Sequence, residues 1–151
     1  SFPTRRSSDL LTEKQMKQAK APQAAIDAQL TKTKAKFEEI RKNPTWEKEW
    51  MSDNKSARNT YKWWSSILDV KLSDALLSLG KPIYMVHGDS DTSTPVESAD
   101  QLAQLFKNSK KTNLVYKKYV GMGHDFKNNQ GQLQQEVIDS AMEWLIKTKF
   151  K

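Results

Sequence analysis

Pro82-Ile83-Tyr84-Met85-Val86-His87-Gly88-Asp89-Ser90-Asp91-Thr92-Ser93-Thr94-Pro95 is the stretch whose reading decides the fold. Its first five residues form a short apolar run, which suits a strand covered on both faces in a parallel sheet. His87-Gly88 closes the run and an acidic turn follows. Thr94-Pro95 then reads as the N-cap and first position of a helix. Glu97 and Asp100 lie in its early turns, where the helix dipole favours acids. The helix is expected to reach about Lys107 and to bury Val96, Ala99, Leu102, Ala103 and Phe106. A second strand-like run, Asn113 to Val120, comes next, and the loop Gly121-Met122-Gly123-His124-Asp125-Phe126 after it. Strand, helix and strand joined by short loops predict a parallel pair with a crossover. Chemistry in such sheets gathers at the carboxyl ends of the strands, where Asp91 and His124 both fall. A closing helix from about Gln132 to Lys147 is expected to bury Val137, Ile138, Ala141, Leu145 and Ile146.

Upstream, Leu11 to about Asn43 is rich in helix formers, with a break near Pro22. Ile26, Leu30, Thr33, Phe37 and Ile40 recur at helical steps, so one face packs and the rest is wet. Asn43-Pro44 ends this pattern, because the residue before proline is pushed out of the helical region. Four of the five tryptophans, Trp46, Trp50, Trp63 and Trp64, follow within a short span that also holds Tyr61. Rings of that size predict core and lid packing, and Trp63 and Trp64 are the candidates for lining a substrate pocket. A short amphipathic helix over Lys71 to Leu79 stops at Gly80, ahead of Pro82. Ser1 to Leu10 shows no apolar periodicity and back-translates to resemble a sequencing-library adapter read in frame, so it is set aside as an unstructured artefact. The expected organisation is therefore an adapter-like segment over residues 1–10, a helical lid- or cap-like region over 11–70, and a sheet-bearing part over 71–151.

Composition narrows the class. Of 151 residues, 36% are hydrophobic, which is lean for a complete globular unit. The chain has no cysteine, which excludes disulfides and thiolate metal sites. No run approaches the roughly 18 apolar residues of a membrane span. The net charge of +7 includes +1 from Arg5, Arg6 and Asp9, leaving +6. The lysines are spread among glutamates along helical stretches, which predicts solvated helix faces and not a nucleic-acid patch. No metal, cofactor, nucleic-acid or membrane partner is expected.

The residue types at the two loops have a chemical reason. A neutral imidazole takes a proton from a nucleophile and later returns it to the leaving group. A buried carboxylate holds the other ring nitrogen's proton and stabilises the imidazolium as it forms. Asp91 is best placed for that carboxylate, with Asp89 and Asp125 as competitors. Asp89 directly follows the strand and is expected to cap its own turn. Asp125 adjoins the histidine, where neighbouring side chains seldom face each other. His87, at the strand end, reads as a structural histidine. Glycines at 121 and 123 are expected to let the backbone turn sharply.

Residues 81–126 resemble the C-terminal part of the α/β-hydrolase superfamily, nearest to its prolyl-oligopeptidase, acylaminoacyl-peptidase and dienelactone-hydrolase type. There a strand ending in H-G leads to G-x-x-D and a proline-started helix, and a G-x-x-H-x-F-like loop follows the next strand. Here those positions are His87-Gly88, Asp91, Pro95, and His124 with Phe126. Asn59 to Trp64 is also similar to the tryptophan-bearing lid of bacterial members. The resemblance implies the C-terminal portion of an α/β-hydrolase sheet, two parallel strands with flanking helices, preceded by a helical lid-like region. It implies Asp91 and His124 as catalytic residues, a small ester or peptide as substrate, and no cofactor. One element departs from the pattern. The superfamily's serine sits on a G-x-S-x-G elbow, and Gly88-Asp89-Ser90-Asp91-Thr92, the nearest approach, lacks the second glycine and lies on the acid's loop. The chain is thus expected to be a fragment of a serine hydrolase whose nucleophile lies in a missing N-terminal half, and to be inactive alone. The competing reading is a non-catalytic binding module whose basic helices dock an acidic partner.

Overall fold

Pro22 separates two helices in the first part of the chain, α1 (Ser7–Gln18) and α2 (Gln23–Lys42). The computed structural model describes residues 7–51, 58–128 and 130–149, and the chain forms two units, Met16–Asp74 and Ser1–Gln15 with Ala75–Lys151. The expectation of an unstructured decapeptide is corrected over Ser7–Leu10, which form the start of α1. Asp9 in the first turn suits the positive end of the helix dipole, and Lys14 pairs with Glu97 at 3.5 Å. Residues 1–6 lie outside the described residues.

In the Met16–Asp74 unit, α2 buries Ile26, Thr33, Phe37 and Ile40, with Leu30 half-buried. Asn43 closes the helix, its N–H donating to the carbonyls of Glu39 and Ile40. Two short strands follow, β1 (Glu49–Met51) and β2 (Arg58–Thr60), paired antiparallel with Trp50 opposite Asn59. This hairpin is not evident from the sequence, since three polar-flanked residues per strand carry too little alternation to register. Thr60 caps α3 (Tyr61–Leu68), its hydroxyl accepting from the Trp63 N–H at 3.2 Å. Phe37, Ile40 and Tyr61 form the core, with Trp50, Trp64 and Leu68 packed on it.

The second unit carries the sheet. α4 (Leu72–Ser78) leads across the unit boundary to β3 (Ile83–Gly88), which pairs in parallel with β4 (Leu114–Tyr119). Register runs from Ile83 opposite Leu114 to Gly88 opposite Tyr119. Strand side chains alternate between faces, and each face takes one helix. On one face α5 (Val96–Asn108) offers Asp100, which accepts from the Tyr116 hydroxyl at 2.9 Å and pairs with Lys118 at 2.7 Å. On the other lies α6 (Gln135–Lys149), where the Tyr84 and Tyr119 hydroxyls converge on Ser140 and Trp144 stacks on Tyr84 at 5.2 Å.

Three details differ from expectation. Pro95, not Thr94, occupies the N-cap of α5, with extended backbone (φ −68°, ψ 132°) and no side-chain cap. Of the α5 face only Ala99 and Phe106 are fully buried. Along α6, Val137 alone is fully buried, while Ile138, Leu145 and Ile146 are exposed. A sheet of two strands is wide enough to cover only the Val137, Ala141 and Trp144 stripe of that helix.

Candidate active site

β3 and β4 end side by side at Gly88 and Tyr119, so the loops that leave them leave together. A Cβ at Gly88 would collide with the Met122 carbonyl oxygen, so glycine is required for the loops to touch. Gly121 turns the histidine loop with φ at +73°, a conformation that disfavours a side chain. Gly123 opens the next turn, its carbonyl accepting from the Phe126 N–H at 3.2 Å, without entering the left-handed region; Phe126 does, with φ at +55°. The Phe126 carbonyl accepts from the Gln134 N–H and its ring lies edge-on to Tyr119, which together hold it there.

The two loops bring Asp91 and His124 together. His124 Nδ1 lies 2.8 Å from Asp91 Oδ2. The other oxygen, Oδ1, accepts from the backbone N–H of Ser93 at 2.7 Å and of Thr94 at 2.9 Å. Burial pushes the Asp91 carboxyl up, but these N–H groups and the His124 ring outweigh it and hold the group below the usual carboxylate range. An ionised carboxylate only accepts, so the proton between the pair sits on His124 Nδ1. In the neutral ring that leaves the lone pair on Nε2. Asp91 is 5% exposed and the His124 side chain 66%, so a buried, oriented acid supports an imidazole open to an incoming group.

The competing acids are engaged elsewhere. Asp125 Oδ2 pairs with the Lys127 ammonium at 2.8 Å and its Oδ1 accepts from the Lys127 N–H; the ammonium holds its carboxyl below the usual range. Asp89 does not cap its own turn as expected. Its Oδ1 reaches across to accept from the Gly121 N–H at 2.7 Å, because parallel register places Asp89 beside the start of the histidine loop. That contact was not legible in the sequence, and the only available signal was the two-residue spacing of Asp89 and Asp91. His87 donates from Nδ1 to the Gly88 carbonyl at 2.8 Å. Its Nε2 stands 3.8 Å from Asp91 Oδ2, beyond hydrogen-bond reach.

Trp63 and Trp64 belong to the Met16–Asp74 unit. Their rings meet edge-on at 4.9 Å, and Trp64 also packs on Trp50 and donates its indole N–H to the Trp50 carbonyl at 3.1 Å. Among the described residues no three His, Cys, Asp or Glu side chains cluster as a metal site. No described helix is long and apolar enough to cross a membrane.

A parallel strand pair flanked by helices, with an acid after one strand and its histidine partner after the next, is the arrangement of the α/β hydrolases. The family model for the prolyl oligopeptidase family matches residues 14–149, nearly the whole chain, and the chain belongs to that family. No curated protein matches it. No solved structure matches it either.

Proposed function

We propose that Asp91 and His124 are the acid and general base of a serine hydrolase acting on a small ester or peptide, with the nucleophilic serine supplied from outside this chain. The observation that carries this reading is the 2.8 Å bond between His124 Nδ1 and a buried Asp91 whose second oxygen is fixed by two backbone N–H groups. His124 Nε2 takes the serine proton as the hydroxyl oxygen attacks the substrate carbonyl. Asp91 stabilises the imidazolium so formed without itself taking the proton. The imidazolium then protonates the leaving alcohol or amine as its bond to the acyl carbon breaks. Water repeats the sequence on the acyl-enzyme, with His124 again as base. Trp63 and Trp64 are proposed as substrate-contacting rings.

The chain alone is expected to show no ester turnover and no covalent labelling by a fluorophosphonate probe. Joined to the remainder of a prolyl-oligopeptidase-family catalytic domain bearing the serine elbow, it is expected to gain both turnover and labelling. His124→Ala in the joined protein should abolish turnover with the fold intact, because the side chain is largely exposed. Turnover that survives this substitution overturns the reading.

A further inference from the structure

Where the β3–β4 ladder stops, a second set of contacts takes over. Beyond the Gly88–Tyr119 pair, the Asp89 N–H donates to the Tyr119 carbonyl at 3.0 Å and the Ser90 N–H to the Met122 carbonyl at 3.1 Å. Beside the Asp91–His124 bond, Asp89 adds a side chain to this zipper, its Oδ1 accepting from the Gly121 N–H at 2.7 Å. The Ser90 hydroxyl donates to the same oxygen at 3.1 Å and so orients the carboxylate. We propose that Asp89 is a positioning residue for His124, clamping the histidine loop onto the acid loop so that the two partners of the Asp91–His124 bond move as one body.

What else holds the histidine in place decides the role of Asp89. The His124 side chain is 66% exposed, so packing does not fix its ring. Gly121 has open space where a side chain would be and a left-handed backbone, so no side-chain contact of its own anchors the turn. Its N–H bond to Asp89 Oδ1 does. Between Gly121 and His124, Met122 is buried with its carbonyl accepting from the Ser90 N–H, and the Gly123 N–H donates to the Lys127 carbonyl, so the Asp89 bond acts together with these anchors at the start of the histidine loop. Asp125 offers no substitute, being paired with Lys127. Asp89 and Asp91 therefore divide two tasks: one sets where the histidine stands, the other how its ring is turned.

This inference deepens the acyl-transfer reading and rests on it for its purpose, but its test uses neither substrate nor nucleophile. The readouts are the downfield proton resonance of His124 Nδ1–H and the exchange rate of the Gly121 amide, in the unaltered chain, Asp89→Ala and Asp89→Asn. In Asp89→Ala the Gly121 amide is expected to exchange roughly tenfold faster, about 1.4 kcal/mol, and the His124 resonance to broaden away. Asp89→Asn keeps an acceptor oxygen at the same place and is expected to keep both signals. If Asp89→Ala speeds Gly121 exchange but leaves the His124 resonance sharp, Asp89 is merely a loop cap and the proposal fails. It fails equally if Asp89→Asn loses the resonance, since charge and not the clamp would then be at work. Should Asp89→Ala not fold, Asp89→Ser, whose hydroxyl is too short to reach Gly121, takes its place under the same criteria. Loss of acyl transfer in the joined enzyme leaves these outcomes untouched, so the two readings can fail separately.

Discussion

Asp91 is where stability and chemistry meet in one side chain. Burial opposes its charge, but the N–H groups of Thr94 and Ser93 and the ring of His124 favour it more, and the carboxyl is held below the usual carboxylate range. A carboxyl depressed on folding stabilises the native state fully above its unfolded pKa, and this contribution is lost as pH falls through the lower folded value. Acid unfolding should therefore steepen below about pH 4, an ordinary carboxyl's unfolded range, and Asp91→Asn should flatten that limb; following the thermal midpoint against pH checks it. In the joined enzyme Asp91→Asn favours the wrong imidazole tautomer and should cost about 10⁴ in turnover, about 5 kcal/mol at 1.36 per tenfold. Asp125→Asn should cost on the order of tenfold or less, because Asp125 faces Lys127 and not the histidine. A turnover loss at Asp125 as large as that at Asp91 would reverse the assignment of the acid. That Asp91, and not Asp89 or Asp125, would meet His124 was legible in the sequence, because its spacing places it past the strand-end turn. The clamp by Asp89 was not, since it depends on strand register, which residue types alone do not encode.

The elements differ in how openly their residues announce them. α2 was legible through its stripe of Ile26, Thr33, Phe37 and Ile40, and β3 through its unbroken apolar run. The β1–β2 hairpin was not, because its hold comes from Trp50 packing on Phe37 and Trp64, contacts between residues far apart in sequence. For α6 the periodicity was correct but its consequence was misjudged, since a narrow sheet covers less of the helix than its apolar face offers. At the strand ends the deciding position is Gly88. Gly88→Ala would place a methyl against the Met122 carbonyl, and a backbone atom cannot yield as a flexible side chain can. Overpacking of this kind costs about 1–3 kcal/mol, and the displaced loop carries His124 with it. Calorimetry should show the stability loss, and the His124 Nδ1–H resonance should broaden in the same variant. An unchanged resonance would mean the loops separate without disturbing the pair.

Taken whole, the molecule sets charge against exposed apolar surface. Both strands of the β3–β4 sheet have a free edge among the described residues, and unpaired edges invite association. On α6, Ile138, Met142, Leu145 and Ile146 form an exposed apolar face, at 54% exposure for Ile146, while Val115 and Val120 on and beside β4 are exposed as well. Opposing this is a net charge of +7, which keeps copies apart at low ionic strength. Several lysines are matched locally, Lys36 to Glu39, Lys118 to Asp100 and Lys147 to Glu143, which lowers the density of unpaired charge available to hold an acidic partner. At 0.15 M salt the Debye length is about 8 Å, so repulsion between copies fades while apolar attraction does not. The chain should therefore associate more strongly as salt and concentration rise, the opposite of a complex held by charge. Met142→Lys with Ile146→Lys should shift sedimentation toward the monomer at 0.15 M salt, with the thermal midpoint within a few degrees of the original, because both side chains are more than half exposed already. A chain that stays monomeric at high salt and concentration, or a double variant that associates as the original does, would show that this face is not what drives the association.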